Sequence, residues 1–136
     1  MSAFSLKIVT PDGLQFDGIA QQVTVRTTSG DVSILARHID FVAPLGMGEA
    51  SILVDGEKRY AACIGGMISV VDGAVTLVPT TFEWAEDIDV ARVKVSQQRA
   101  ESILQDKTSS NTDIRLAEAR LKRALIRSSV AKQNKR

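Results

Sequence analysis

Arginines that recur at helical spacing near the end of this 136-residue chain are its clearest candidates for binding chemistry. Arg92 and Arg99 are seven residues apart, almost two helical turns, so both project to one side of a helix. Arg120, Arg123 and Arg127 repeat at spacings of three and four and line one stripe of a second helix. The planar guanidinium group suits phosphate oxygens. These residues therefore predict a helical hairpin that a nucleotide can hold closed.

An ordinary explanation also fits this stripe, because most charges on surface helices are simply solvated. Like charges three or four residues apart nevertheless repel weakly, and a bound anion would remove that cost. The acids that precede the arginines resemble a catalytic pair, but solvated residues near a helix N-terminus are the commoner interpretation. These acids are Glu83, Glu86, Asp87 and Asp89.

Charge divides the chain into two parts of different character. Residues 1–90 hold five Lys/Arg and twelve Asp/Glu, a net charge of −7, whereas residues 91–136 hold twelve and four, a net charge of +8. All glycines and prolines lie at or before Pro79, and every aromatic residue lies at or before Trp84. The basic part offers no aromatic residue for base stacking, so we do not expect a nucleic-acid partner.

Other chemistries find little support in the sequence. His38 is the only histidine and Cys63 the only cysteine, and no recognisable spacing pairs them. Clustered metal ligands and glycine-rich phosphate loops are absent, so we expect no metal site and no catalytic residues. The single cysteine favours a reducing compartment.

The first part of the chain has the pattern of an all-β sandwich. Residues 5–9 and 22–28 alternate apolar and polar side chains, as half-buried strands do. The Asp-Gly pairs at 55–56 and 72–73 stand between apolar runs and predict tight hairpins. The Gly-Gly pair at 65–66 predicts a bulge or a close backbone approach. We predict about ten short strands in a domain that spans residues 1–84.

The remaining residues, 85–136, predict an antiparallel two-helix hairpin. The first helix is expected to begin near Asp87 as its N-cap, and the second at Asn111 or Thr112. An Ala-rich seam between the helices would bury little apolar area, so the hairpin should be only conditionally stable. The predicted seam consists of Val90, Val93, Ala100 and Leu104 in the first helix, and Ile114, Ala117, Leu121, Ala124, Leu125 and Ala131 in the second.

The predicted sandwich (residues 1–84, the body) and the predicted hairpin (residues 85–136, the tail) together resemble the epsilon subunits of F-type ATP synthases, called delta in mitochondria. In the tail, residues 85–92 (AEDIDVAR) are similar to the I/L-D-x-x-R-A nucleotide motif of bacterial members, with Val93 in place of its closing Ala. Residues 33–36 (SILA) stand where the family often has Gly-Ile-Leu-Pro. The other matching stretches are 9–13 (VTPDG), 29–38 (SGDVSILARH), 42–45 (VAPL), 65–66 (GG), 121–124 (LKRA), Arg127 and 129–131 (SVA).

This resemblance implies a β-sandwich that binds the gamma subunit and the membrane c-ring, followed by a mobile helical tail. ATP, the one regulatory ligand, would stabilise the compact tail, and no other cofactor is required. The extended tail would enter the catalytic alpha/beta hexamer and block ATP hydrolysis. By position, the ATP-binding residues would be Glu83, Asp89, Arg92, Arg99, Arg123 and Arg127, and the c-ring or stalk interface would include Asp31, Ser33 and His38.

The same resemblance implies a peripheral location on the cytoplasmic face of the bacterial cell membrane. We expect a soluble chain without a signal peptide, since no apolar run approaches the roughly 20 residues that span a bilayer. Two alternatives stay open. One is a purely structural stalk subunit in which Val93 spoils the nucleotide pocket, and the other is a small hydrolase that uses His38 and nearby acids.

Overall fold

A computed structural model describes residues 2–133, which divide into two compact units between Trp84 and Ala85. The first unit is all β and the second contains two α-helices, as predicted; a 3₁₀ turn (Ala85–Asp87) precedes them. The strands are β1 (Phe4–Thr10), β2 (Gly13–Ala20), β3 (Gln22–Thr27), β4 (Gly30–Leu35), β5 (Phe41–Pro44), β6 (Met47–Val54), β7 (Glu57–Ile64), β8 (Met67–Val71), β9 (Ala74–Val78) and β10 (Thr81–Trp84). The helices are α1 (Val90–Gln105) and α2 (Asn111–Gln133).

Two five-stranded sheets form the sandwich, in the orders β2-β1-β9-β8-β5 and β10-β7-β6-β3-β4. Neighbouring strands are antiparallel except β1 and β9, which pair in parallel and place β1 between β2 and the central strand β9. Alternate residues of the strands point inward, because successive side chains of a strand face opposite sides. The largest fully buried side chains of the sandwich are Leu6, Ile8, Val23, Val25, Ile34, Ile52, Ile68, Val70, Val75 and Leu77.

Both predicted Asp-Gly hairpins are confirmed. Asp55 and Gly56 have φ values of 51° and 80°, and Asp72 and Gly73 have values of 50° and 79°. Positive φ at both central residues is the signature of a type I′ turn, whose twist matches that of the flanking strands. These turns fix the registers of β6 with β7 and of β8 with β9.

The Gly-Gly pair between β7 and β8 makes the predicted close backbone approach. Gly66 has φ of 91°, and a Cβ built there would overlap the carbonyl oxygen of Val78 and crowd Pro79. The Gly66 carbonyl accepts a hydrogen bond of 2.8 Å from the Leu45 N–H, which ties this loop to the connection between β5 and β6. The pair therefore lies between two other segments of backbone and leaves no room for a side chain at Gly66.

One residue of the implied ATP set lies in the sandwich. Glu83 is part of β10, opposite Ala62 of β7, within the domain predicted for residues 1–84. The acid run that begins at Glu83 suggests a helix start, whereas Phe82 and Trp84 give the same segment the alternation of a strand. Pairing with β7 makes this segment a strand.

An aromatic cluster anchors the end of β10. The ring of Trp84 contacts those of Phe82 and Phe16 edge-on, with centroids 4.9 and 6.4 Å away, and Arg59 Cζ lies 3.7 Å from the Trp84 ring centroid. Aromatic pairs and cation–π contacts each stabilise by about 1 kcal/mol. The last residue of the sandwich is thus fixed by side chains from two other strands.

Cys63 gives the sandwich a specific response to alkaline pH. Burial in the core raises the pKa of its thiol from 9.0 to about 12, because the thiolate is poorly solvated there. Between these values the unfolded chain loses its proton and the folded chain keeps it, so the free energy of unfolding falls by about 1.4 kcal/mol per pH unit. Urea unfolding at pH 8 and 10.5 should show this loss of free energy of unfolding in the wild type, and Cys63→Ala should show a smaller loss. Equal losses in the two proteins would contradict the role of Cys63.

Candidate functional site

The two helices of the second unit pack along a seam of small side chains. Val93 and Ala100 of α1 are buried seven residues apart, and Ala117 and Ala124 of α2 are buried at the same spacing. Residues 106–110 connect the helices, and so short a connection makes neighbouring helices antiparallel. Small side chains let the helices approach closely but bury little apolar area, so the hairpin is held weakly.

Two residues of the predicted seam lie outside it. Val90 and Leu125 are 46% and 50% exposed, so their assignment to the seam is wrong. Leu125 follows the buried Ala124, and a step of 100° around the helix turns it away. Val130 of α2 is buried, although the predicted seam does not include it. The larger side chains therefore add less to the seam than predicted.

Asp89 caps the first helix. Its side-chain oxygen accepts a hydrogen bond of 3.1 Å from the backbone N–H of Arg92, and its own backbone is extended. The prediction that Asp87 is the cap is wrong, because Asp87 ends the preceding 3₁₀ turn. Asp89 thus places a carboxylate at the positive end of α1, one turn before Arg92.

The second helix is also capped earlier than predicted. The Ser110 hydroxyl oxygen accepts a hydrogen bond of 3.1 Å from the Asp113 N–H, the pattern of an N-cap. The predicted caps, Asn111 and Thr112, already lie inside the helix. A serine one residue earlier satisfies the free N–H groups equally well, so composition alone does not choose between these positions.

The connection between the helices is held by its own side chains. The Thr108 hydroxyl and the Thr108 N–H both donate to the Asp106 carboxylate, at 2.7 and 2.9 Å. These hydrogen bonds lower the pKa of Asp106, the hydroxyl having the larger effect. The Ser109 hydroxyl donates to the Ile103 carbonyl oxygen at 2.7 Å and satisfies the end of α1. The turn of the hairpin is therefore well defined.

The predicted arginines lie on one flank of the hairpin. Arg92 precedes the buried Val93 by one position, and Arg123 precedes the buried Ala124 in the same way. In an antiparallel pair of right-handed helices, equal rotations from the seam lead to the same flank. Arg99 follows Arg92 by seven residues and stays on that flank. We name this surface, formed by Arg92, Arg99, Arg120, Arg123 and Arg127, the arginine flank.

Most guanidinium groups of the arginine flank lack a partner. The side chains of Arg92, Arg99, Arg120 and Arg123 are exposed, and within residues 2–133 they form no hydrogen bond or ion pair. Arg127 is half-buried and interacts with another group of the chain. Unpaired cations gathered on one surface favour the binding of an anion.

Two members of the flank share a groove of about 500 Å³ that helical spacing alone does not predict. Arg99 enters it from α1 and Arg120 from α2. Glu83, by contrast, belongs to the other compact unit, where its half-buried side chain interacts with another group. The hairpin thus carries Asp89, Arg92, Arg99, Arg123 and Arg127 of the residues that the resemblance implies for ATP.

The residues implied for the stalk interface include a polar row on the sandwich. Asp31 and Ser33 alternate on β4, where Arg26 Nε lies 2.7 Å from the Asp31 Oδ1 and the Thr24 and Ser33 hydroxyl oxygens are 2.7 Å apart. The sequence analysis misses Arg26 and Thr24, although the β3–β4 register places them directly opposite Asp31 and Ser33. Cross-strand pairing could have identified both.

His38 lies in the loop between β4 and β5 and is half-buried. Its Nδ1 is 2.7 Å from the Ile39 carbonyl oxygen and so carries the ring proton, and its ring meets Phe41 edge-on at 5.8 Å. Asp40 Oδ1 accepts the backbone N–H of Asp72 at 3.0 Å. Among the described residues, His38 has no hydrogen-bonded acid to orient it as a general base.

Residues 2–133 contain neither a cluster of metal-ligating side chains nor a membrane-spanning helix. No group of three or more His, Cys, Asp or Glu side chains between residues 2 and 133 could hold a metal ion. In the same residues, neither helix is long and apolar enough to cross a membrane.

Comparison with known proteins covers both units. The family models described as ATP synthase delta/epsilon chain, beta-sandwich domain and long alpha-helix domain match residues 3–85 and 86–132. Proteins named ATP synthase epsilon chain from Ruminococcus albus and Bacillus velezensis are each 43% identical, over 96% of this chain and 98% of their own length.

Solved structures agree on the fold. A chain of the Euglena gracilis mitochondrial ATP synthase superposes with a TM-score of 0.78 at 22% identity, covering 90% of this chain and 77% of that one. A chain of the Tetrahymena thermophila mitochondrial enzyme gives a TM-score of 0.60 at 16% identity, covering 94% and 96%. With the sandwich, the hairpin and the family matches in agreement along the sequence, the chain belongs to the delta/epsilon chain family of the ATP synthases.

Proposed function

We propose that the chain serves as the epsilon subunit in the central stalk of an F-type ATP synthase and regulates it through the helical hairpin. The name ATP synthase epsilon chain belongs to relatives that align over almost their whole length, which supports the stalk role. The Tetrahymena structure is described as central stalk and c-ring, and its chain shares this fold. The gamma subunit and the c-ring are accordingly the proposed partners of the sandwich.

The chain itself is non-catalytic, as are the delta and epsilon chains of this family. The hydrolase hypothesis for His38 is therefore wrong. Among the described residues, no acid or nucleophile is hydrogen-bonded to His38, whose Nδ1 donates to the Ile39 carbonyl oxygen, and the Asp40 carboxylate accepts from the Asp72 N–H.

For the rotor interface we propose Asp31, Ser33 and His38. Asp31 is held by Arg26 and Ser33 by Thr24, so both present exposed polar groups in a fixed orientation. Fixed side chains lose less conformational entropy on binding than mobile ones do. Through these contacts the chain would be a peripheral component at the cytoplasmic face of the bacterial membrane and would touch the membrane only indirectly.

The observation that carries the regulatory part of the proposal is the arginine flank. Within residues 2–133, the exposed guanidinium groups of Arg92, Arg99, Arg120 and Arg123 lie unpaired on a hairpin whose seam is lined by small side chains. A polyphosphate bound along this flank would neutralise the charges and join the two helices. The proposed ATP-binding residues are Glu83, Asp89, Arg92, Arg99, Arg123 and Arg127.

The free energy of ATP binding would shift the equilibrium between closed and open hairpins and would not fix the hairpin in one state. A ligand that binds only the closed hairpin stabilises it by RT ln(1 + [L]/Kd), which is about 1.4 kcal/mol for millimolar ATP at a site of about 0.1 mM. In the absence of ATP, the helices would separate and extend, and their arginines would pair with acidic surfaces of the alpha/beta hexamer. The extended tail would then block ATP hydrolysis.

The position of Val93 supports the nucleotide proposal against a purely structural role. Its side chain is 1% exposed and fills the seam between the helices. Arg92, one residue earlier, points about 100° away from it, so the larger Val side chain occupies the hairpin interior and leaves the arginine flank open.

Arg92→Ala and Arg127→Ala should each weaken ATP binding to the full chain by about tenfold or more, because each removes a charge-assisted hydrogen bond. Isothermal titration calorimetry measures the affinity directly. Lys94→Ala is the matched control, because Lys94 is also exposed on α1 but two positions, about 200°, away from Arg92.

The outcomes separate the two parts of the proposal. A wild-type chain that gives no heat with millimolar ATP refutes the nucleotide switch and leaves the stalk role intact. Unchanged affinity in both arginine variants means that ATP binds elsewhere on the chain.

A further inference from the structure

Arg120 has a position that the proposed ATP-binding set does not use. It is an exposed residue of α2 and borders the groove of about 500 Å³ that Arg99 enters from α1. Among the described residues, no acidic side chain lines this groove, whose other residues are Val95, Gln98, Ser102 and Ile103.

The electrostatics of the groove favour a bound anion. Neither Arg99 nor Arg120 makes an ion pair or a side-chain hydrogen bond in the described part of the chain. Two like charges that face one groove raise each other's free energy, and an anion between them reverses the sign of that interaction. Gln98 and Ser102 provide polar groups on the α1 wall of the groove.

Arg120 also continues the line of the proposed ATP contacts. It precedes Arg123 by three residues and Arg127 by seven, so all three project from one side of α2. At 1.5 Å per residue, Arg120 lies about 4.5 Å from Arg123 along the helix axis and about 10 Å from Arg127, toward the loop. An elongated anion that lies along α2 can therefore reach Arg120 and the other arginines together.

We propose that Arg120 is a further phosphate-binding residue and acts with Arg99 across the groove. The ligand class is a linear polyphosphate, either the triphosphate of a nucleotide or a free chain of linked phosphates. This assignment rests on the proposed nucleotide switch for ATP, but its contacts would serve free polyphosphate equally. A single phosphate bound near Arg127 would be too short to span to Arg120.

Titration calorimetry on the full chain tests this assignment with ATP, AMP and inorganic tripolyphosphate. Arg120→Ala should weaken the binding of ATP and of tripolyphosphate about fivefold to tenfold, as expected when one hydrogen bond to a charged group is lost. Its effect on AMP should stay below about twofold. Arg115→Ala is the control, because Arg115 is exposed on the same helix but about 140° away from Arg120.

Each result decides one point. If Arg120→Ala binds ATP and tripolyphosphate like the wild type while Arg92→Ala weakens ATP binding, the role of Arg120 is refuted and the nucleotide switch stands. If tripolyphosphate binds through Arg120 but ATP does not bind at all, the groove is a polyphosphate site and the switch fails. An equal loss in Arg115→Ala and Arg120→Ala would reduce the effect to net charge and overturn the assignment.

Discussion

Gly66→Ala is expected to lower the free energy of unfolding of the sandwich by about 3 kcal/mol or more, a large share of the 5–15 kcal/mol that stabilises a typical domain. The new Cβ would overlap the Val78 carbonyl oxygen and crowd the Cα of Pro79, both rigid backbone atoms. Relief requires the loop between β7 and β8 to move, which would break the hydrogen bond from Leu45. Urea unfolding followed by the fluorescence of Trp84 measures the loss.

Gly73→Ala is the matched control for this prediction. Gly73 has φ of 79°, close to the 91° of Gly66, but a Cβ built there meets no atom within 4 Å. Both variants therefore incur the cost of a left-handed alanine, about 1 kcal/mol, and only Gly66→Ala adds the steric overlap. Similar losses of free energy of unfolding in the two variants would show that the backbone beside Gly66 moves at little energetic cost.

The elements that the sequence predicts well are those with a local physical cause. Asp55 and Gly56 form a type I′ turn because short polar and glycine residues tolerate positive φ, a property that needs no knowledge of the rest of the fold. The same reasoning identifies Asp72 and Gly73. Hairpin registers follow from these turns, and with them most of the antiparallel pairing.

The strands that the sequence analysis misses depend on distant partners. β2 contains Gly18 and Asp17, which weaken the alternation of a strand, yet it pairs along its length with β1 around a bulge between Ile8 and Val9. β10 has only four residues and pairs with β7, which precedes it by a whole hairpin. Such edge strands are stabilised by the neighbouring strand with which they pair, so the local sequence pattern predicts them poorly.

The candidate site, like the fold, has one part that local sequence patterns predict and another that depends on tertiary packing. Helical spacing alone places Arg92 with Arg99 and Arg123 with Arg127, because rotation per residue is a property of any α-helix. Which turn of α1 faces which turn of α2 depends on the loop and the seam. The meeting of Arg99 and Arg120 at one groove therefore becomes visible only in three dimensions.

Ala117→Leu is expected to separate the helices of the hairpin. Ala117 is fully buried, and three added carbon atoms at a seam built from Ala and Val force the helices apart at a typical cost of 1–3 kcal/mol. Because the seam stabilises the hairpin only weakly, we expect the backbone amides of α1 and α2 to exchange with deuterium about tenfold faster or more. Hydrogen exchange followed by mass spectrometry compares these amides with those of the sandwich.

Ala91→Leu introduces the same side chain on α1 at an exposed position and should leave the exchange rates unchanged. ATP affinity gives an independent measure, because a ligand that needs the closed hairpin binds more weakly in proportion to the fraction of chains that remain closed. Ala117→Leu should therefore weaken ATP binding although it removes no charge and no hydrogen-bonding group. Faster exchange with unchanged ATP affinity would mean that the arginines bind ATP from one helix alone, and the nucleotide could then not hold the hairpin closed.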